Sequence, residues 1–297
     1  MHRRSSETNG LLLGLGAYGI WGFFPLYFPL LAPSSATEVL AHRIVWSFVF
    51  MIAVNSAFHL WQPVREAFTT PRIRRLLLLA SLLITVNWGV YIWAVQHDHV
   101  VEAALGYFVT PLLSVALGII AFGERLRRAQ WVAIGIGGAS LIVLAIDAGS
   151  VPWIGLILAL SFGTYGLVKK LANVEAMTSL TLETAFATPI ALVYLVTLAA
   201  NGSLAFLHTS TGHTLTVLTT GFVTAIPLLG FGAAAVRIPL STLGLLQYIT
   251  PVLQFILGIA VFHERMSGLR WLGFAWLWLA LIVYSVDMVR HTRSRRA

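Results

Sequence analysis

Apolar residues follow one another along this chain in long stretches that are separated by a few polar residues. Ten stretches are about 20 residues long, the length that a helix needs to cross the hydrocarbon core of a bilayer. They cover residues 10–31, 38–57, 76–96, 100–121, 130–147, 152–172, 178–200, 214–235, 240–262 and 269–288. The stretches are continuously apolar, which favours helices over the alternating strands of a membrane barrel. The pattern predicts an all-α polytopic membrane protein with ten transmembrane helices.

Composition agrees with a membrane protein, since 58% of the residues are hydrophobic and only 10% are charged. A soluble chain could not hide that much apolar surface in one core. Residues 1–9 and 289–297 remain as short tails, and the longest connection, 61–75, is too short to fold alone. The chain has no cysteine, so neither a disulfide framework nor a thiolate metal site is possible. We expect no soluble catalytic domain and no cofactor.

The basic residues predict the orientation of the spans. If the N-terminus is cytoplasmic, sixteen of the nineteen Lys and Arg residues lie on the cytoplasmic side, and only Arg43, Arg265 and Arg270 lie toward the other side. The positive-inside rule therefore predicts that both termini are cytoplasmic. The net charge of +8 then reflects topology and an anionic lipid surface. Nucleic-acid binding is not expected, because the cations are spread over many loops.

The chain also contains an internal duplication. Residues 105–144 align without a gap with residues 245–284, and fourteen of the forty pairs are identical, among them Thr110 with Thr250 and Pro111 with Pro251. The two copies correspond to residues 10–147 and 152–288, with five predicted spans in each. Because five is odd, the second copy must enter the membrane from the opposite side. An inverted repeat of this kind is typical of secondary transporters that alternate between inward-open and outward-open states.

Several segments resemble the RarD family of EamA-type transporters, in the drug/metabolite transporter superfamily. They read EVLAHRIVWS, NWGVYIWAV, EAALGYFVTPLL, ERLRRAQW, SFGTYGLVKK, LETAFATPIALVYL, TAIPLLGFGAAA and LSTLGLLQYITPVLQFILG. The resemblance covers nearly the whole chain in order and spacing. It implies a ten-helix permease with two EamA repeats in a bacterial inner membrane, in a family associated by name with chloramphenicol sensitivity.

The duplicated prolines predict a cavity near the centre of the bilayer. Pro111 and Pro251 cannot donate to the carbonyls of Tyr107 and Gln247, so each bends its helix and frees a carbonyl. A cavity with aromatic rings and a few amides suits an amphipathic or aromatic solute. The side chains expected to line it are Tyr18, Trp21, Asn87, Trp88, Tyr91, Tyr107, Thr110, Pro111, Gln247, Tyr248, Thr250, Pro251 and Gln254. The alternatives are packing kinks relieved by the threonine hydroxyls and, for Asn87, an interhelical hydrogen bond.

Four charged residues lie about a turn inside predicted spans, where a charge is costly unless it is paired or wetted. Arg43 and Glu102 fall toward the outer ends of their helices, and Lys169 and Glu183 fall toward the inner ends. We expect them to form two pairs that close the outer and inner gates, with snorkelling to lipid headgroups as the alternative. If transport is coupled to protons, Glu183 or Glu102 is the expected carrier.

The sequence therefore predicts a permease for small metabolites or drug-like solutes, with possible export coupled to protons. The alternatives are an amino-acid permease and, outside transport, a membrane scaffold or an intramembrane enzyme. No Ser/His/Asp order, paired-carboxylate site or HExxH motif supports an enzyme. His97, Asp98 and His99 have metal-capable side chains, but they read as a solvated turn. A monomer and a homodimer are both compatible with the small residues in the spans.

Overall fold

The structure is a computed structural model, and it describes residues 2–122, 128–149, 151–235, 237–238 and 246–294. These residues form helices and short connections, with no strand among them. The helices are α1 (His2–Gly22), α2 (Phe24–Tyr27) with a 3₁₀ turn (Phe28–Leu31), α3 (Ala36–Ala57), α4 (Trp61–Thr69), α5 (Pro71–Gln96), α6 (Val100–Phe122), α7 (Arg128–Ala148), α8 (Trp153–Ala172), α9 (Ala176–Ala200), α10 (Thr211–Ala235), α11 (Ile249–Ala260) and α12 (Gly268–Ser294).

Seven of the described helices are long and apolar enough to cross a membrane, namely α3, α5, α7, α8, α9, α10 and α12. The segments Thr8–Gly22 and Phe24–Leu31 count as an eighth span if the bent pair is taken together. Two shorter apolar segments, Val100–Leu113 and Ile249–Ala260, belong to α6 and α11. The all-helical architecture is therefore that of a polytopic membrane protein.

The first predicted span, 10–31, is bent and not straight. Its two parts meet at an angle of 46°, on either side of Phe23. Pro25 stands in the first turn of α2 and Pro29 in the first turn of the 3₁₀ segment. A proline has no N–H to donate to the carbonyl four residues earlier, so the helix cannot continue through this stretch without a break.

The predicted span 240–262 also differs from the structure. Residues 239–245 lie outside the described part of the chain, and α11 begins only at Ile249, after a turn at Gln247 and Tyr248. Pro251 is thus in the first turn of α11, where its missing N–H breaks no helical hydrogen bond. Pro111, in contrast, lies inside the continuous helix α6. The two duplicated prolines therefore occupy different positions in their helices.

The predicted connection and tails are more helical than the sequence pattern indicates. Residues 61–75 contain the nine-residue helix α4 and the start of α5. Helix α1 begins at His2 and α12 ends at Ser294, so most residues of the predicted tails, 1–9 and 289–297, continue the neighbouring helices. Helix α4 is amphipathic, and its apolar residues Val64 and Ala67 pack against α5, α8 and α9.

The bundle has two ends that can be told apart by their connections. We call the first the loop end; it carries the connections 32–35, 97–99, 201–210 and 261–267. Contacts join these connections: Gln96 donates to the carbonyl of Ser34, and the Ser34 hydroxyl lies 3.1 Å from Nε2 of His213. We call the other the α4 end; it carries α4 and the connection 173–175. The aromatic and charged residues discussed next lie between these ends or close to them.

Candidate functional site

Arg43 is a charged residue buried inside the bundle. It lies about two turns into α3, and only 4% of its surface is exposed. Its Nε donates a hydrogen bond to Oγ1 of Thr224 on α10, at 2.7 Å. Among the described residues, Nη1 of Arg43 has no hydrogen-bond partner, although the atom is buried. Since a guanidinium stays protonated in proteins, a full positive charge lies here away from water.

Aromatic rings surround the guanidinium of Arg43. Its central carbon lies 4.2 Å from the ring centre of Trp88, 5.3 Å from that of Phe24 and 5.8 Å from that of Phe28. Ring faces attract a cation, at about 0.5–2 kcal/mol each. In the described part of the chain, no carboxylate forms an ion pair with Arg43. The rings therefore offset part of the desolvation of the charge but do not neutralise it.

The bend in the first span places the rings of Phe24 and Phe28 beside Arg43. Phe24 and Phe28 are four residues apart, so they lie on one side of the short segment that follows the break. Tyr27 fastens this segment to α10, because its hydroxyl donates to the carbonyl of Thr216 at 3.1 Å and lies 2.9 Å from Oγ1 of Thr219. The prolines that break the helix thus also position the aromatic surface beside Arg43.

Tyr91 extends the aromatic surface from Arg43 toward α6. Its ring centre lies 5.8 Å from that of Phe28 and 5.6 Å from that of Tyr107. The buried hydroxyl of Tyr91 has no hydrogen-bond partner among the described residues. We call the group of Phe24, Phe28, Arg43, Trp88, Tyr91 and Thr224 the Arg43 cluster. Besides its ring faces, the cluster contains two buried polar atoms without a hydrogen-bond partner among the described residues, Nη1 of Arg43 and the hydroxyl of Tyr91.

Asn87 joins three helices and uses its whole amide to do so. Its Nδ2 donates to the carbonyl of Leu158 at 3.1 Å and to Oγ of Ser161 at 3.0 Å, both on α8. The hydroxyl of Tyr107 on α6 donates to Oδ1 of Asn87 at 3.1 Å. Asn87 thus forms interhelical hydrogen bonds, which the sequence analysis named as the alternative to a cavity-lining role. It also orients Tyr107 next to the Arg43 cluster.

A second group of expected cavity residues joins α1 to α11. Pro25 cannot donate to the carbonyl of Trp21, and the Gln254 side chain supplies the missing donor, with Nε2 3.1 Å from that oxygen. The hydroxyl of Thr250 donates to the carbonyl of Tyr18 at 2.8 Å. These side chains therefore satisfy backbone carbonyls at the broken end of α1.

The two groups are connected through Trp21. Its ring packs against the apolar cluster that contains Phe24, Phe28 and Tyr91, and also against the cluster of Tyr18 on the α11 side. The ring of Phe231 on α10 lies 6.0 Å from both Tyr18 and Trp21. The expected aromatic residues thus form a continuous surface between α1, α3, α5, α6 and α10.

The remaining expected residues lie at the edges of this surface. Thr110 donates to the carbonyl of Gly106 in its own helix, at 2.9 Å. This contact corresponds to the alternative in which the threonine hydroxyl bonds to the backbone near a proline kink. Pro111 and Gln247 are partly exposed, and Pro251 is buried. Tyr248 is partly buried.

The charges Lys169 and Glu183 meet at the α4 end. Nζ of Lys169 lies 2.8 Å from Oε1 of Glu183, and the Glu183 side chain is 1% exposed. Tyr165 donates to the other carboxylate oxygen at 2.9 Å, and Ser179 donates to Oε1 of Glu183 and accepts from Lys169. Glu183 is therefore a buried carboxylate with three donors from α8 and α9.

Arg43 and Glu102, in contrast, do not meet in this structure. Glu102 lies in the first turn of α6, where its Oε2 is 3.6 Å from Nδ1 of His99. Arg43 points to Trp88 on α5 and Thr224 on α10 instead. The physical reason is the position of the rings: the aromatic surface around Arg43 attracts the guanidinium toward the interior.

Two carboxylates that the sequence did not single out hold the loop end together. Oε1 of the buried Glu38 accepts the backbone N–H groups of Ala205 and Phe206, at 3.0 and 3.1 Å. The carboxylate of Glu264 accepts the N–H of Val101 at the start of α6, at 3.0 and 3.2 Å from its two oxygens. These contacts link connections that are far apart in the sequence.

Burial raises the pKa of Glu264 to about 7. The N–H groups of Val101 and Val100 and the charge of Arg270 lower that pKa, and Asp98 raises it. Glu264 therefore titrates near neutral pH. The charged form is favoured by the N–H donors but disfavoured by loss of water.

Sequence reasoning also missed Phe24, Phe28 and Thr224 beside Arg43. The two phenylalanines carried a usable signal, since they flank Pro25 at helical spacing in a predicted span. Thr224 carried none, because a threonine in an apolar helix most often bonds to its own backbone. Its role becomes visible only when α3 and α10 are packed together.

Comparisons with known proteins agree on one family. A profile described as the EamA-like transporter family matches residues 8–146. Protein RarD of Streptomyces exfoliatus is 51% identical over 297 residues, which cover 100% of this chain and 94% of the relative. An uncharacterized transporter of Vibrio cholerae is 40% identical over 293 residues, covering 99% and 97%.

A solved crystal structure has the same fold, with a TM-score of 0.61 at 19% identity, over 95% of this chain and 98% of the other. The helical bundle thus belongs to an architecture already seen by experiment. Because a relative that is 51% identical extends along the whole chain, this protein is a member of the RarD family of EamA-type membrane transporters.

Proposed function

We propose that this protein is a secondary-active permease that moves a small metabolite or drug-like solute across a bacterial inner membrane by alternating access. Ten spans in two inverted five-helix repeats, 10–147 and 152–288, with both termini in the cytoplasm, are part of the proposal. The observation that carries it is the Arg43 cluster. A membrane protein that serves only as a scaffold has no use for a buried cation without a carboxylate partner, whereas a permease needs polar groups at a buried site.

The packing of the helices supports two equivalent halves. In the proposed repeat, α1, α3, α5 and α6 of the first half correspond to α8, α9, α10 and α11 of the second half. The α6–α8 contact then has the α1–α11 contact as its counterpart, the α5–α8 contact has the α1–α10 contact, and the α3–α10 contact has the α5–α9 contact. A two-fold relation between inverted repeats has this consequence.

The Arg43 cluster draws residues from both halves. Phe24, Phe28, Arg43, Trp88 and Tyr91 come from the first half, and Thr224 comes from the second. A solute bound there would contact elements that move relative to one another when the halves exchange conformations. We assign the Lys169–Glu183 pair to the gate at the α4 end, and Glu183 is the residue that we expect to carry a proton if transport is coupled to protons.

Cysteine accessibility tests alternating access, and the chain has no cysteine of its own. We expect Thr224→Cys to react with a membrane-impermeant thiol reagent in vesicles of either orientation. The matched control is Phe222→Cys on the same helix, whose side chain is 52% exposed on the apolar outer surface and should react from neither side. A scaffold would leave Thr224→Cys unreactive from both sides.

Cross-linking then separates a permease from a channel. Ser34 and His213 face each other at the loop end, so Ser34→Cys with His213→Cys can be joined by a short bifunctional thiol reagent. In a permease, this link should abolish labelling of Thr224→Cys from the loop end and preserve labelling from the α4 end. Labelling that stays unchanged from both sides after cross-linking would contradict alternating access.

A further inference from the structure

We propose that the solute is a small organic monoanion with a flat apolar body, and that its anionic group pairs with Arg43. The inference rests on the proposed transport function, because it names the substrate class of the same site. It goes beyond that function by excluding neutral, cationic and zwitterionic solutes as preferred substrates.

The charge of Arg43 is the first step. A guanidinium that is 4% exposed inside a membrane bundle is costly unless an anion compensates it. Among the described residues, Arg43 has one hydrogen bond, from Nε to Thr224, and its Nη1 is buried without a partner. Thr224 fixes the guanidinium from the Nε side, which leaves nitrogen atoms on the other side for a carboxylate or a similar group. The missing partner is therefore an anion.

The aromatic rings define the body of the solute. Trp88 lies face-on to the guanidinium at 4.2 Å, and Phe24, Phe28 and Tyr91 continue the apolar surface away from it. A hydrated inorganic ion would place water, and not apolar atoms, against these rings. A planar apolar body next to the anionic group would use them and would keep water away from the ion pair.

A zwitterion fits this site less well than a simple anion. An amino acid would bring its ammonium group close to the guanidinium, which repels it, and none of the six residues of the Arg43 cluster is acidic. The described carboxylate nearest in sequence is Glu38, five residues earlier on α3, and its Oε1 already accepts the N–H groups of Ala205 and Phe206. The surroundings of Arg43 therefore favour a solute with one negative charge.

Thermal unfolding of the purified full chain with matched probes tests the proposal. The probes share a phenylpropyl body: 3-phenylpropionate is an anion, 3-phenylpropan-1-ol is neutral, 3-phenylpropylamine is a cation and phenylalanine is a zwitterion. We expect 3-phenylpropionate to raise the Tm by about 2–4 °C at saturating concentration, and the others to raise it by less than about 1 °C. Equal shifts from all four probes, or an equal shift from sodium sulfate, would overturn the proposal.

Variants of Arg43 give the second arm. Arg43→Gln should weaken the affinity for 3-phenylpropionate about 10- to 100-fold, since a charge-assisted hydrogen bond is lost, and Arg43→Lys should weaken it less. Arg65→Gln is the control, because Arg65 is exposed on α4, away from the cluster. If Arg43→Gln does not fold, the four probes on the unmodified protein still decide the question.

The outcomes also separate this inference from the transport function. Labelling of Thr224→Cys from both sides without any response to 3-phenylpropionate would leave a permease whose solute is not such an anion. Binding of 3-phenylpropionate through Arg43, combined with labelling from one side only, would instead leave a binding site in a protein that does not alternate.

Discussion

In the proposed inverted repeat, the α6–α8 crossing corresponds to the α1–α11 crossing, and each joins a helix of one half to a helix of the other. The two crossings are built differently. Helix α6 runs without interruption through Pro111, and α8 is also continuous. On the other side α1 ends at Gly22, before Pro25, and α11 starts only two residues before Pro251. One crossing thus joins two continuous helices, and the other joins two broken ones.

The contacts at the two crossings differ in the same way. Gly106 meets Gly155 with almost no space between the backbones, since a Cβ built on Gly106 would lie 2.7 Å from the carbonyl oxygen of Gly155. The duplicate of Gly106 is Leu246, whose side chain reaches over Gly14 of α1. Backbone contact fixes the α6–α8 crossing, whereas side chains that donate to carbonyls hold the α1–α11 crossing.

This difference shows that a Thr-Pro pair does not by itself decide where a membrane helix breaks. The same two residues stand inside α6 and at the start of α11. The neighbours decide: Gln254 and Thr250 can satisfy carbonyls of α1, while the hydroxyl of Thr110 stays within α6. In the proposed alternating access, we expect the α1–α11 crossing to be the part that adapts, because side-chain hydrogen bonds can be remade more easily than a backbone contact.

The largest loss of stability is expected from Gly106→Leu, which places at the α6–α8 crossing the leucine that stands at the duplicated position 246. In Gly106→Leu, the new side chain would meet the Gly155 carbonyl and the Cβ of Leu158, at 2.8 Å from the first added carbon. Backbone atoms cannot move aside cheaply, so we expect a loss of about 3 kcal/mol in the free energy of unfolding. Thermal or denaturant unfolding of the purified protein measures it.

The matched control is Gly166→Leu on α8, where a Cβ would meet no atom within 4 Å. This variant should change stability by less than about 0.5 kcal/mol. A Gly106→Leu protein with the stability of the Gly166→Leu protein would mean that the α6–α8 crossing is as adaptable as the α1–α11 crossing.

An intermediate effect is expected at the carbonyl that Pro25 leaves free. Gln254→Leu keeps the volume of the side chain but removes the donor to Trp21, so the partly buried carbonyl loses its partner at a cost of about 1–2 kcal/mol. Pro25→Ala restores a backbone N–H that can donate to the same carbonyl. A double-mutant cycle of unfolding free energies should therefore show that Gln254→Leu costs less than half as much in the Pro25→Ala background, and strictly additive effects would refute this account of the break.

Sequence pattern predicts the helical membrane class because continuous apolar runs have one stable solution in lipid. It locates most helices, but it misplaces the break near Pro251, since a proline is compatible with either the interior or the first turn of a helix. Burial of Arg43 could be anticipated from its place in an apolar run. The rest of the Arg43 cluster could not be anticipated, because Phe24, Trp88 and Thr224 come together only through the packing of three separate helices.

The smallest expected effect compares the duplicated threonines directly. Thr250→Val removes the hydroxyl that joins α11 to the Tyr18 carbonyl and should cost about 1 kcal/mol in the free energy of unfolding. Thr110→Val removes a bond within α6, to a carbonyl that remains in a continuous helix, and should cost less than about 0.3 kcal/mol. Valine has the shape of threonine, so the difference between the two variants reports the hydroxyl contacts alone. Equal losses would show that the threonine hydroxyls play the same part at both crossings, and the distinction between a backbone-fixed and a side-chain-held crossing would then have to rest on Gly106 and Gln254.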